Sequence, residues 1–322
     1  METFEKTSKT LYVIKAFAIL FTITAHMSFS QDYFLADIIR TAIGQIGVPT
    51  FFIVSGYFYS RKPGDNKSFW LKKFKNLFIP WLIFSIIICS LSEFIFGTPG
   101  NLVVDFLGTF TGVSSIFWYL TVMCVIMFLF YYIKKDSILY ACIVISIVSV
   151  LASGISIIIF DANYINQFFN IFNWVGFFAL GMLLRKKDLL KKLISPLITV
   201  VSGILLVLFV VIAGMRGEVI HAYVDITSLF IEISGFLFFL NISYLLSDSK
   251  LLVDIGKKSF FVYLMHIQTV GIINTRLPYN VLFFILRPII GLAVCYVVAV
   301  VFKFMLNKLK LGKFSFVFGL DR

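Results

Sequence analysis

Residues 10–29 read TLYVIKAFAILFTITAHMSF. A hydrocarbon core about 30 Å thick asks for about 20 mostly apolar helical residues, and this stretch supplies them. The same kind of run recurs along the chain, at approximately 10–29, 44–59, 78–96, 115–133, 138–160, 171–184, 196–214, 226–246, 259–274 and 281–306. The expected fold is an all-α integral membrane protein, a bundle of about ten transmembrane helices forming one membrane-embedded domain over 1–322. The second and sixth runs are short and the tenth is long, which predicts tilt or a kink. Pro80, Pro196 and Pro288 fall in or near the first turns of their runs, where proline is best tolerated. Lys15 interrupts the first run, so it reads as a retained span and not as the short, uncharged h-region of a cleaved signal.

Composition agrees. Of the 322 residues 60% are hydrophobic and 14% charged, with a mean hydropathy of +0.99. Soluble domains are about 45–50% apolar and about 25% charged. The excess cannot be buried in one water-soluble core, which excludes a soluble enzyme, a nucleic-acid binder and a disordered chain. The four cysteines, Cys89, Cys124, Cys142 and Cys295, each lie inside an apolar run without zinc-ligand spacing. They read as small buried hydrophobes, and no metal site is expected.

The net charge of +12 is explained by topology. If the N-terminus is cytoplasmic, the inner segments hold Lys6 and Lys9, then Arg61, Lys62, Lys67, Lys72, Lys73 and Lys75, then Lys134 and Lys135. Further inner groups are Arg185 to Lys187 with Lys191 and Lys192, then Lys250, Lys257 and Lys258, and the C-terminal lysines with Arg322. Of all 28 Lys and Arg residues, only Arg40, Arg216 and Arg276 fall outside, and Lys15 and Arg287 fall within spans. This asymmetry alternates at every loop, placing both termini in the cytoplasm of a multi-pass plasma-membrane protein. The outer loops carry Asp32, Asp37, Asp105, Asp161, Glu218 and Asp225 instead.

Ionisable groups inside a membrane are expensive and are candidates for function. Here they are Lys15, His26, Glu93, Glu232, His266 and Arg287. Lys15 and His26 are eleven residues apart, three turns plus about 20°, so a continuous helix would point both the same way about 16 Å apart. Thr22 shares that stripe. The bland alternative is a lysine that snorkels and a histidine that satisfies a carbonyl. His266 shares its face with Ser259 and Tyr263, and its favoured reading is a hydrogen-bonded packing residue. Glu93, Glu232 and Arg287 lie toward the outer ends of their runs and read as structural ion pairs. The stretch Lys72-Lys73-Phe74-Lys75 before Ile79-Pro80-Trp81 is a topology signal that could also hold a phosphorylated donor. Ser55 and Gly56 are small enough to let helices approach closely. Neither a P-loop nor a dinucleotide fingerprint is present.

Taken in order, these segments resemble the acyltransferase-3 family of integral membrane acyltransferases. Lys15 through His26 is similar to the family's opening helix, with Lys where Arg is usual. Phe51-Phe52-Ile53-Val54-Ser55-Gly56-Tyr57 resembles its FFxxSGY block. Lys72 to Lys75 with Pro80-Trp81 resembles its basic loop and proline–aromatic pair, again with Lys for Arg. Phe117-Trp118-Tyr119-Leu120 and Gly256 through His266 are similar to two further blocks, the latter of the form GxxSxxxYLxH.

The resemblance implies transfer of an acyl group, usually acetyl from acetyl-CoA, to a hydroxyl of a sugar or lipid-linked glycan, as in the bacterial surface-polysaccharide acetyl- and succinyltransferases. It implies that His26 is catalytic. Lys15, Lys72, Lys73 and Lys75 suit the donor's phosphates, and Thr22, Ser55, Trp118, Ser259, Tyr263 and His266 are expected around the cavity. Acyl-CoA is then a co-substrate and no cofactor is tightly bound. The partners are membrane lipid and a glycan acceptor, for which Asp32, Asp37, Asn163, Asn166 and Asn274 would suit hydroxyls. The nature of the acyl group, the oligomeric state and the role of His26, as general base or as acyl carrier, stay open. The competing readings are a transporter or flippase for a glycan precursor and an assembly partner in an envelope complex. No inverted repeat or paired broken helix favours the transporter.

Overall fold

The computed structural model describes residues 2–28, 34–59, 66–96, 101–113, 117–160, 166–215, 223–224 and 226–320, and among these it contains helices and no strand. Arg61, Lys62, Arg216 and Arg322, the loop acids Asp32, Asp161, Glu218 and Asp225, and Asn163 lie outside the described residues, as does the side chain of Glu93.

The helices are α1 (Glu2–Ala25), α2 (Phe34–Phe58), α3 (Asn66–Lys73), α4 (Ile79–Phe96), α5 (Leu102–Thr111), α6 (Trp118–Tyr132), α7 (Asp136–Phe160), α8 (Ile171–Lys186), α9 (Pro196–Met215), α10 (Ile226–Leu245), α11 (Lys250–Arg276) and α12 (Val281–Lys308). Each of the ten apolar runs falls mainly on one of them. Among the described residues, seven stretches are long and apolar enough to cross a membrane: Glu5–Ala25, Ala36–Phe58, Lys67–Ser90, Asp136–Ser156, Pro196–Met215, Ile226–Leu245 and Val281–Lys308. α6 and α8 have 15 and 16 residues, so they reach only about 23–24 Å. α11 is long, but it opens with the polar residues Lys250, Asp254, Lys257 and Lys258.

α1 is the central element, packed against α2, α10, α11 and α12. α2 also packs on α8, α7 on α8, and α9 on α10. Two crossings depend on missing side chains. At the α2–α8 crossing, a Cβ on Gly56 would collide with the carbonyl of Phe178, and one on Gly181 with the carbonyl of Ile53. At the α1–α11 crossing, a Cβ on Gly256 would collide with the carbonyl of Tyr12. Backbones thus touch where small residues allow it, the general solution where lipid removes any hydrophobic preference between helices.

Between α3 and α4 the chain makes a π-helical turn, Phe74–Phe78, in which the Ile79 N–H reaches back to the Phe74 carbonyl. Pro80 explains it. Proline has no N–H for the carbonyl four residues earlier, and a one-residue widening relieves the clash. The turn sits within the basic segment and orients it. Beyond α12, a 3₁₀ stretch, Gly312–Phe318, folds back against α4 and α12.

Candidate active site

α1, α2, α3, α6 and α11, with the π-helical turn, enclose a cavity of about 500 Å³. One end is basic. Lys72 and Lys73 of α3, Asn76 of the π turn, Phe58 and Phe69 stand there, and Lys15 of α1 lines the cavity beside Tyr12. The Lys15 ammonium lies 5.5 Å and that of Lys257 5.6 Å from the Tyr12 ring centre, so one ring meets two cations. The walls are Val54, Ser55, Leu120, Met123, Met127 and Ser259. The far end is a floor of Phe51, Tyr119 and Tyr263. From Met127 to Tyr119 is eight residues of α6, or about 12 Å of depth.

A row of rings continues beyond the floor. Tyr119 and Tyr263 are 5.5 Å apart between centroids, Tyr263 and His266 5.2 Å, and His266 and His26 5.2 Å. His266 is fully buried. Its Nδ1 meets the carbonyl oxygen of Tyr263, so Nδ1 carries the proton and donates. Nε2 of the neutral ring then holds a lone pair, and it is buried without a hydrogen-bond partner among the described residues. His26, by contrast, is exposed.

Several expected positions need correction. α1 ends at Ala25, so His26 lies one residue past the helix, in a turn where its N–H reaches the Ile23 carbonyl at 3.1 Å. The continuous-helix geometry that aligned it with Lys15 therefore stops short of it. Thr22 is not in the cavity. Its hydroxyl donates to the Ala18 carbonyl at 2.9 Å, and its oxygen lies where a Cβ on Gly47 would be. Trp118 is also outside, packed on Phe168, Trp174 and Tyr223. Its neighbour Tyr119, turned about 100° around the helix, lines the cavity instead. His266 stands behind the floor, and the Lys75 ammonium lies 4.1 Å from the Phe316 ring centre, away from the cavity. Lys15, Lys72, Lys73, Ser55, Ser259 and Tyr263 line it.

The expected pairing of Arg287 with Glu232 is also corrected, while the Glu93 side chain lies outside the described residues. Glu232 is 2% exposed, and its Oε1 has no hydrogen-bond partner among the described residues. Arg287 is fully buried; it donates to the Ser28 carbonyl at 2.7 Å and to the Leu277 carbonyl, and stacks 4.0 Å from the Tyr279 ring centre. An arginine among apolar helices can be satisfied by backbone oxygens at helix ends as well as by an acid.

Sequence reasoning passed over Tyr12, Asn76 and Tyr119 as lining residues. Tyr12 could have been found at i−3 from Lys15 on one helical face. Asn76 has no such signal, because its orientation comes from the π turn.

Apolar helices gathered around a basic-mouthed cavity mark a multi-pass membrane protein. The chain belongs to the acyltransferase-3 family: the sequence model of that family, described as an acyltransferase domain, matches residues 9–307. It is accordingly a membrane acyltransferase. No curated protein and no solved structure matches the chain.

Proposed function

We propose that this protein moves a short acyl group, acetyl foremost, from cytoplasmic acyl-CoA to a hydroxyl of a cell-surface or lipid-linked glycan. In this reading all ten apolar runs cross a bacterial plasma membrane and both termini are cytoplasmic. The observation that carries it is the cavity itself. It has lysines at one end, a tyrosine floor at the other, and beyond that floor a row of two imidazoles that ends at His26.

Lys72 and Lys73 hold the donor's phosphates at the mouth, with Lys15 deeper. Each ammonium acts as a mobile point charge, without the fixed fork of arginine. The pantetheine arm runs past Ser55, Met123 and Ser259 and on between Tyr119 and Tyr263, so that the thioester meets His26 beyond the floor. A glycan hydroxyl approaches from the His26 side. As general base, His26 takes the hydroxyl proton while the oxygen attacks the thioester carbonyl carbon. The carbon–sulfur bond breaks, and the CoA thiolate leaves and is protonated. As acyl carrier, His26 would bond the carbonyl carbon through a ring nitrogen first and pass the group on. Both roles use a neutral ring.

The test is His26→Ala, assayed by mass spectrometry of surface glycans and by release of free CoA from labelled acetyl-CoA in vesicles. Loss of glycan acylation at normal protein level and membrane insertion is the expected result. Acylation that survives the substitution would sink the reading. Glycan movement across vesicles without any acyl donor would replace it with a transporter.

A further inference from the structure

His26 has no helix around it, yet the turn that carries it is tied down from three directions. At its start, the Ala25 carbonyl accepts from Arg40 Nη1 of α2 at 2.5 Å, and Arg40 is itself held by Asp37. In the middle, Asn274 of α11 makes a two-way clasp. Its Nδ2 donates to the His26 carbonyl at 3.2 Å, and its Oδ1 accepts from the Ser28 N–H at 3.1 Å. At the end, the Ser28 carbonyl accepts from Arg287 Nη1 of α12. Between two exposed residues, the Met27 side chain is buried, and its Cε lies 3.2 Å from where a Cβ on Gly291 would stand, one turn along α12 from Arg287. Tyr279 closes the circuit by stacking on Arg287 and donating its hydroxyl to the Asn274 carbonyl at 2.9 Å.

We infer that Asn274 and Arg287, seconded by Arg40, are positioning residues that fix His26 for acyl transfer. The inference rests on the proposed function of His26. Its physical basis is that a residue just past a helix end lacks the i→i−4 bonds that hold its neighbours. Left alone, the imidazole would wander by more than an ångström, and a misplacement of about 1 Å costs on the order of 10²-fold in rate. Arginine suits the outer two ties. A guanidinium offers several donors in one rigid plane, so Arg287 joins the ends of two helices, Ser28 after α1 and Leu277 after α11, with one side chain. The sites lie beyond the tyrosine floor, and none of the three residues is among those that line the donor cavity. They therefore act on turnover and leave donor binding alone.

The experiment compares wild type with Asn274→Ala, Asn274→Asp and Arg287→Met in the full-length protein in detergent or nanodiscs. It measures kcat and KM for acetyl-CoA, and hydrogen exchange at the Ser28 amide. Asn274→Ala is expected to lower kcat about tenfold and Arg287→Met about a hundredfold, each with KM for acetyl-CoA within twofold. Asn274→Asp keeps the acceptor for Ser28 but loses the donor to His26, so it falls between Asn274→Ala and wild type. The Ser28 amide should exchange at least tenfold faster in Asn274→Ala than in wild type. Arg287→Met removes a buried cation and can cost folding; the half-buried Asn274 variants then decide. A kcat within twofold of wild type in Asn274→Ala overturns the inference, and so does a rise in KM that matches the fall in kcat. If wild type transfers no acyl group, the acyltransferase mechanism falls instead. The Ser28 exchange rate still reports on the clasp, and an unprotected wild-type amide there refutes it.

Discussion

The two ends of the bundle both gather cations, and they use them in opposite ways. At the basic end, Lys15, Lys72 and Lys73 surround an open cavity, with ammonium groups on long stems. At the His26 end, Arg40 and Arg287 donate to backbone carbonyls at helix termini, Arg40 while also held by Asp37. Lysine is a compact charge that can follow a ligand arriving and leaving, whereas a guanidinium is a planar fork that locks fixed acceptors. In the proposed reading one end captures and releases the donor and the other holds still. Substitutions at the first should move KM and at the second kcat, and that split is what experiments can break.

The largest effect is expected at Lys15. Hydrogen bonds to charged groups contribute about 1.5–3 kcal/mol, which is about 10- to 100-fold in binding. Lys15→Ala should raise KM for acetyl-CoA by such a factor with kcat little changed, and Lys15→Arg should restore it, because a point charge is what the position supplies. Initial-rate kinetics over a range of acetyl-CoA concentrations decide this. Equal KM values in all three proteins would remove Lys15 from donor binding, and a fall in kcat alone would erase the contrast between the two ends.

A smaller effect, and one confined to one end, is expected at the α1–α11 crossing. Gly256 lets α11 lie against the Tyr12 carbonyl, and so places Ser259 and Tyr263 opposite Lys15. Gly256→Val overpacks that contact, for which about 1–3 kcal/mol of destabilisation is usual. Thermal unfolding in detergent should show the loss, and KM should rise several-fold as the cavity wall shifts. The Ser28 amide lies far along both helices from residue 256, and its exchange should stay within threefold of wild type. Equal loosening at Ser28 would mean that the bundle responds as one unit and that the two ends are not separately built.

How much of this was legible in the sequence follows the same division. The ten apolar runs are compositional, so each falls mainly on a helix. Their ends are not, because a helix continues through polar residues once it leaves the hydrocarbon. α2 begins at Phe34, ten residues before its expected run, and α11 at Lys250 behind its Ser249 cap. Helical spacing and the family resemblance together named Lys15, Ser55, Ser259 and Tyr263, and all four sit inside regular helices. Spacing misplaced His26 because α1 stops at Ala25, and the resemblance named Trp118 where the cavity takes Tyr119, one residue and about 100° away. The partners of Arg287 could not be read at all. A side-chain acid leaves a letter in the sequence, but a backbone carbonyl exists at every position and names nothing.

The smallest expected effect is at Lys75, and it is the most selective. By sequence it belongs with Lys72 and Lys73, in a basic stretch with two lysines before Phe74 and one after it. The π turn between α3 and α4 separates them. It leaves Lys72 and Lys73 on the cavity and carries Lys75 round to the 3₁₀ stretch, where its ammonium faces Phe316 at 4.1 Å. A cation–π contact at an exposed site is worth about 0.5–1 kcal/mol. Lys75→Ala should therefore lower stability by at most that much and leave KM for acetyl-CoA within twofold, while Lys72→Ala raises it at least fivefold. If Lys75→Ala raises KM as much as Lys72→Ala does, the donor's phosphates read net charge near the surface and not the cavity wall. The basic end would then be a diffuse electrostatic funnel, and its difference from the tightly bonded His26 end would be greater still.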